Sequence, residues 1–143
     1  MTVKQVIVMR KDLKMRRGKE VAQGAHAAMK WLVERVKQVD TEATKAYQSG
    51  GMVGLSEAAP GIPLSVAEDQ WLYGLFAKIC VSVDSEAELD AIYEKAKGAG
   101  LEVHMIIDSG LTEFHGVPTK TCLAIGPDWP ERIDPLTQGL KLR

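Results

Sequence analysis

The chain has 143 residues, 45% of them apolar and 26% charged, which is enough to bury one substantial hydrophobic core and makes a single domain the expectation. No uncharged apolar run reaches the roughly 18 residues of a membrane span, and residues 1–11 lack the basic start, apolar middle and small-residue cleavage site of a secretory signal, so the cytosol is the expected compartment. The net charge of −1 conceals an uneven distribution: residues 10–19 (RKDLKMRRGK) hold six basic residues and one acid, net +5, leaving twelve basic against eighteen acidic residues elsewhere, net −6.

In chain order, residues 3–9 (VKQVIVM) are short, β-branched and ended by charges, as suits a central strand buried on both faces. The basic segment follows, and from residue 18 to residue 39 the period becomes helical. At about 100° per residue, Val21, Ala22, Ala25, Ala28, Met29, Leu32, Val33 and Val36 share one arc, which is expected to face the core. Lys19, Gln23, His26 and Lys30 gather on the opposite side as a polar stripe. Residues 40–69 carry four glycines and two prolines between short apolar runs and read as an irregular excursion with a little helix.

Residues 75–83 (LFAKICVSV) alternate as a strand does, and a helix follows, with Ser85 and Glu88 at capping-box spacing, Leu89, Ile92, Tyr93 and Ala96 on its apolar face, and Gly98 or Gly100 as its stop. Residues 101–107 (LEVHMII) form a third strand, residues 108–118 a polar loop, and residues 119–125 (TKTCLAI) a fourth strand, after which Asp128 and Glu131 are expected to cap a short last helix. The order βαβαβ implies a parallel core, with the fourth strand free to pair in either direction. The expected fold is therefore a single-domain, three-layer α/β arrangement over residues 1–143, a four-stranded mixed sheet with helices on both faces. Cys80 and Cys122 stand alone inside apolar runs and are expected to be reduced thiols without chemistry.

Ligands of open α/β sheets bind beyond the carboxyl ends of the parallel strands. That rule selects the basic segment and the loop of residues 108–116 (DSGLTEFHG), which together offer cations, a helix N-terminus, a carboxylate and a threonine hydroxyl to a phosphate-rich ligand. Each part also has an ordinary reading: basic segments are commonly solvated loops, amphipathic helices always carry a polar face, and a lone histidine such as His26 is more often packed than catalytic. Gly18 and Lys19 resemble the end of a P-loop, but Leu13 and Glu20 replace its first glycine and its hydroxyl residue, which excludes an NTPase. His26, His104 and His115 have no metal-ligand spacing, and no G-x-S-x-G elbow is present.

The stretch VIVMRKDLKMRRGKEVAQGAHAA resembles the opening strand, basic loop and helix of the type-two (archaeal and eukaryotic) peptidyl-tRNA hydrolases, where an R-x-D-L-x-M-x-x-G-K-x-x-A-Q-x-x-H-A pattern is typical. DSGLTEF resembles the D-A-G-x-T-Q loop of that family, and CLAIGP with the closing GLKLR resembles its last strand and tail. The resemblance covers nearly the whole chain apart from residues 40–69. It departs at Ser109, Leu111 and Glu113, and an acid at 113 is expected to weaken the hold on a phosphate ligand.

What the resemblance implies is hydrolysis of the ester between a peptide and the terminal ribose of tRNA, with Lys19, Gln23, Asp108 and Thr112 at the positions of the active-site residues. Lys14, Arg16 and Arg17 fall on the tRNA side, and His26 on a familiar position of undefined role. Water would be the nucleophile, oriented or deprotonated by Asp108, with Lys19 stabilising the oxyanion. No metal or organic cofactor and no membrane is implied; the partner is tRNA, and a homodimer is left open. The rival reading is a noncatalytic RNA-binding or regulatory protein on the same fold.

Overall fold

The computed structural model describes residues 2–39 and 61–143, so most of the expected excursion at 40–69 lies outside the described residues. Four strands, β1 (Lys4–Arg10), β2 (Lys78–Val83), β3 (Val103–Asp108) and β4 (Thr119–Asp128), form one sheet in the order β2-β1-β4-β3. β1 and β2 pair in parallel, while β4 enters between β1 and β3 and runs antiparallel to both. β1 and β3 therefore point the same way without touching, and the carboxyl ends of all three parallel strands reach one edge.

Among the described residues, four helices cover the sheet: α1 (Arg17–Val39), α2 (Val66–Tyr73), α3 (Glu86–Gly98) and α4 (Pro130–Thr137). The alternation of β1 divides the core. Val6 and Val8 pack with Leu89, Ile92 and Ala96 of α3 and Ile133 of α4, whereas Ile7 and Met9 pack with Ala27 of α1 and Ala124 of β4. Trp31 of α1 joins Val3, Ala67 and Trp71 in a third cluster that anchors α2. The result is the expected three-layer α/β arrangement. Among the described residues, no helix is long and apolar enough to cross a membrane.

Local signals act as expected in part. A helix begins within the described end of that excursion and runs on to Tyr73, closed at its start by a complete capping box between Ser65 and Glu68. In α3 the Ser85 hydroxyl accepts from the Glu88 amide, but Glu88 accepts from Asp84 N–H rather than completing the box. Asp128 is not the cap expected for the last helix: it ends β4, accepts from Trp129 N–H and pairs with Arg132, and α4 starts on Pro130 with a preset φ. Both cysteines are free, and burial pushes the Cys122 thiol up to about 12, consistent with an inert side chain.

The largest correction concerns the face of α1. Its buried residues are Gln23, Ala27 and Trp31, while Val21 and Met29, assigned to the core by the wheel, are 67% and 59% exposed. The side laid on the sheet is the one carrying Gln23, Gly24, Ala27 and Trp31; a Cβ placed on Gly24 would meet Met9 Cε and Ile7 Cδ1 at ordinary contact distances of 3.8 and 3.9 Å. The large aliphatic arc instead lines an apolar groove between α1 and β2, shared with Trp71 and Phe76.

Candidate active site

The edge selected by the strand directions is built by short-range bonds. Arg10, the last residue of β1, donates from Nε and Nη2 to Asp12 (3.1 and 2.7 Å) and from Nη1 to the Lys120 carbonyl (3.0 Å), which ties the basic loop to the start of β4. Met15 is buried, Leu13 packs against the same cluster, and the residues between and after them, Lys14 and Arg16, face outward. Lys14 takes a left-handed φ of 52° to make the turn. The Arg16 carbonyl then accepts from Glu20 N–H, launching α1 directly from the loop.

At the opposite side of this edge, β3 ends on Asp108. Lys19 Nζ donates to Asp108 Oδ1 at 2.7 Å and to Thr112 Oγ1 at 2.8 Å, and Gln23 Nε2 donates to the same Oδ1 at 3.3 Å. Asp108 Oδ2 accepts from Gly110 N–H at 2.8 Å. Gly110 has φ 83°, and a Cβ there would stand 2.2 Å from the Val117 carbonyl oxygen, so only glycine lets the loop fold back over the carboxylate. The Lys19 ammonium, with smaller help from the Gly110 amide and Gln23, holds the Asp108 carboxyl below its ordinary value despite partial burial.

The four residues expected at the site, Lys19, Gln23, Asp108 and Thr112, thus meet within hydrogen-bonding distance. Gln23 arrives there differently from expectation. It is not part of a polar stripe away from the core but 3% exposed, wedged between α1 and the sheet. His26 stays outside the cluster, exposed on the flank of α1 beside Lys30 and Ile106.

The expected cationic segment is thinner than its +5 suggests. Arg10 is turned inward to Asp12, Lys11 lies 3.3 Å from Asp84, and Lys19 serves Asp108. Lys14, Arg16 and Arg17 remain on the surface, the Arg16 side chain 91% exposed and 3.8 Å from Glu113. That acid faces a cation of the loop itself, which offsets its charge toward an incoming phosphate.

Two further residues escaped the sequence reading. Phe114 lies near the Lys19 ammonium, its ring centroid 5.9 Å from Nζ. Thr121, fully buried, donates its hydroxyl to Gln23 Oε1. Its only sequence signal is a hydroxyl inside the otherwise apolar run TCLAI, and strand alternation alone would not have aimed it at α1.

A lysine ammonium, a depressed carboxylate, a hydroxyl and an oriented amide, set at the start of a helix and flanked by exposed cations, form a site able to hold a polar carbonyl substrate and a water beside a phosphate-bearing group. Comparison with known proteins bears on the same residues. The family described as peptidyl-tRNA hydrolase PTH2 matches residues 3–143. The peptidyl-tRNA hydrolase of Methanocaldococcus jannaschii is 36% identical over 140 residues, covering 98% of this chain and 99% of that protein. Those of Methanothermobacter thermautotrophicus and Pyrobaculum aerophilum are each 34% identical, over 98% and 99% of this chain and 99% and 98% of their own lengths. A match along nearly the entire chain, running through both the basic loop and the Asp108 loop, shows that this chain belongs to the peptidyl-tRNA hydrolase PTH2 family.

Proposed function

We propose that this chain hydrolyses the ester bond of peptidyl-tRNA at the Lys19–Asp108 cluster. The observation that carries the assignment is the convergence of Lys19 and Gln23 on the Asp108 carboxylate, with Thr112 accepting from the same Lys19 ammonium, at the edge where α1 begins. Water attacks the acyl carbon and the bond from that carbon to the ribose oxygen breaks; one water proton passes to the departing ribose oxygen, which becomes a hydroxyl, and the other leaves to solvent as the new carboxylic acid ionises. The products are a free peptide carboxylate and tRNA.

A carboxylate held below its usual range is a poor general base, so Asp108 acts by orienting the water and fixing Lys19. An ammonium has three N–H donors, and Asp108 and Thr112 take two. The third serves the oxyanion that develops on the ester carbonyl, where charge-assisted donation counts most in the transition state. Thr112 accepts from Lys19 and keeps its own proton for substrate or water. Lys14, Arg16 and Arg17 are the proposed contacts to tRNA phosphates, and the cytosol is the proposed compartment.

Single-turnover release of peptide from an N-blocked aminoacyl-tRNA tests the assignment. Rapid release by the purified chain is expected. A protein that binds the tRNA with ordinary affinity and leaves the ester intact would instead be the noncatalytic RNA-binding form of the fold.

A further inference from the structure

We propose that Thr121 is a positioning residue for this reaction: its hydroxyl, turned toward α1 by a β-bulge, fixes the Gln23 amide with its NH₂ group on Asp108. The proposal rests on the functional reading above and extends it to a residue that does not touch the ester.

The bulge is visible in the strand register. Ile106 pairs with Cys122, but the next residue of β3, Ile107, pairs with Lys120, so Thr121 has no partner opposite it. In a regular strand Thr121 and Cys122 would point to opposite faces. Here both reach the same residue of α1: the Thr121 hydroxyl donates to Gln23 Oε1, and Cys122 Sγ donates to the Gln23 main-chain carbonyl at 3.4 Å. An extra residue that bends a strand and re-aims a side chain beside a site is what a bulge supplies.

The chemistry of the amide gives the contact its purpose. The two ends of a glutamine amide are nearly equal in shape and opposite in hydrogen-bonding sense, so their neighbours decide which end points where. Reversal would bring Oε1 against the Asp108 carboxylate, acceptor facing acceptor. Thr121 and Gln23 are both buried, and the other acceptor near the Thr121 hydroxyl is Cys122 Sγ at 3.8 Å, a weak one. The hydroxyl proton therefore goes to Oε1, which keeps Nε2 on Asp108 at 3.3 Å. With Lys19 and Gly110, this amide completes the donors that keep Asp108 ionised.

The test compares wild type, Thr121→Val, Thr121→Ser, Gln23→Met and the Gln23→Met/Thr121→Val pair on N-blocked aminoacyl-tRNA, with Asp108→Asn as the inactive reference. Thr121→Val should lower kcat about 10-fold with KM within about twofold, as expected for a lost hydrogen bond that acts on geometry rather than binding. The acid limb of its kcat/KM profile should move to higher pH, because Asp108 loses a donor, and Thr121→Ser should restore both. In the Gln23→Met background the valine change should cost nothing more. Wild-type kcat and acid limb in Thr121→Val, a serine variant as poor as valine, or an undiminished loss in the Gln23→Met background would each overturn the proposal. If Thr121→Val lacks native circular dichroism, the serine variant and the doubly apolar pair decide by the same criteria. An inactive wild type would defeat the functional reading itself, whereas active wild type, inactive Asp108→Asn and indifferent Thr121 variants would defeat this proposal alone.

Discussion

Two of the ion-paired clusters on helix α1 look alike on paper and are built for different ends. Near its start, Lys19 meets Asp108 at 2.7 Å. Toward its end, Arg35 meets Glu68 and, at 2.7 Å, Glu102, and also donates to the Pro63 carbonyl. Glu68 is buried, and the oxygen that meets Arg35 also accepts from Ser65 N–H in the capping box of α2, so the second cluster is closed on itself. The first is open: Lys19 has a donor left over, Thr112 has a hydroxyl proton left over, and both face the edge of the sheet. A charged pair saturated by its own neighbours holds elements together, while one with unspent valence at a strand edge is equipped to meet a substrate.

Breaking the closed cluster should have the larger thermodynamic effect. Arg35→Ala leaves the buried Glu68 carboxylate uncompensated and is expected to cost about 3–5 kcal/mol of stability, a fall in Tm of roughly 10 °C or more, with turnover per folded molecule unchanged. Thermal denaturation paired with active-site titration checks both halves. A lowered kcat in the folded fraction would mean that the two ends of the helix are coupled.

Lys19→Ala should reverse that pattern, lowering kcat by about 10², some 2.7 kcal/mol in the barrier, with little change in Tm. It should also free Asp108, whose carboxyl ¹³C titration should shift up toward the ordinary value. The sign of the linkage follows. Because Asp108 titrates lower in the folded chain than in the unfolded one, its contribution to stability is present above the ordinary carboxylate value and is lost as pH falls through the depressed one. In Lys19→Ala that acid-side contribution should shrink toward nothing, because the folded value rises to meet the unfolded one. An unmoved titration would show that Lys19 is not what holds the carboxylate down.

Thr112→Val removes one neutral hydroxyl from the open cluster and should cost about 1 kcal/mol of barrier, clearly less than Lys19→Ala. Equal losses would place Thr112 on the reacting atoms rather than beside them. The smallest effect is expected outside both clusters. Replacing Arg16 and Arg17 together by Ala should weaken tRNA binding and flatten its log-log salt dependence by about 0.7–0.9 for each phosphate no longer neutralised, with kcat at saturation little altered. Unchanged affinity and slope would make the surface cations of the loop bystanders.

Much of this was legible in the sequence, for identifiable reasons. Strand and helix periods located the elements, the βαβ order implied parallel strands, and the rule about strand carboxyl ends brought the basic loop and the Asp108 loop to one edge. The seating of α1 was not legible, because a helical wheel weighs hydrophobicity, whereas the helix buries the side carrying Gln23, Ala27 and Trp31 and leaves Val21 and Met29 exposed. Thr121 stayed hidden because its orientation depends on a one-residue register shift. The single-sign charge of residues 10–19 was readable, but its partial neutralisation by Asp84 and Asp108 required tertiary structure.

The antiparallel entry of β4 also bears on how the molecule comes into being. β1 precedes the other described strands, yet Lys4 pairs with Asp128 and Met9 with Cys122, so its neighbour on that side is the last of the four described strands to be made. β2, its other neighbour, is itself braced by the closing residues, through the bridge from Val81 to Leu142. Long-range pairings of this kind are entropically slow to close. Lys19 and Gln23 leave the ribosome well before Asp108 and Thr121, the groups that orient them 89 and 98 residues further on, so the site is assembled late and only after β3 and β4 have followed.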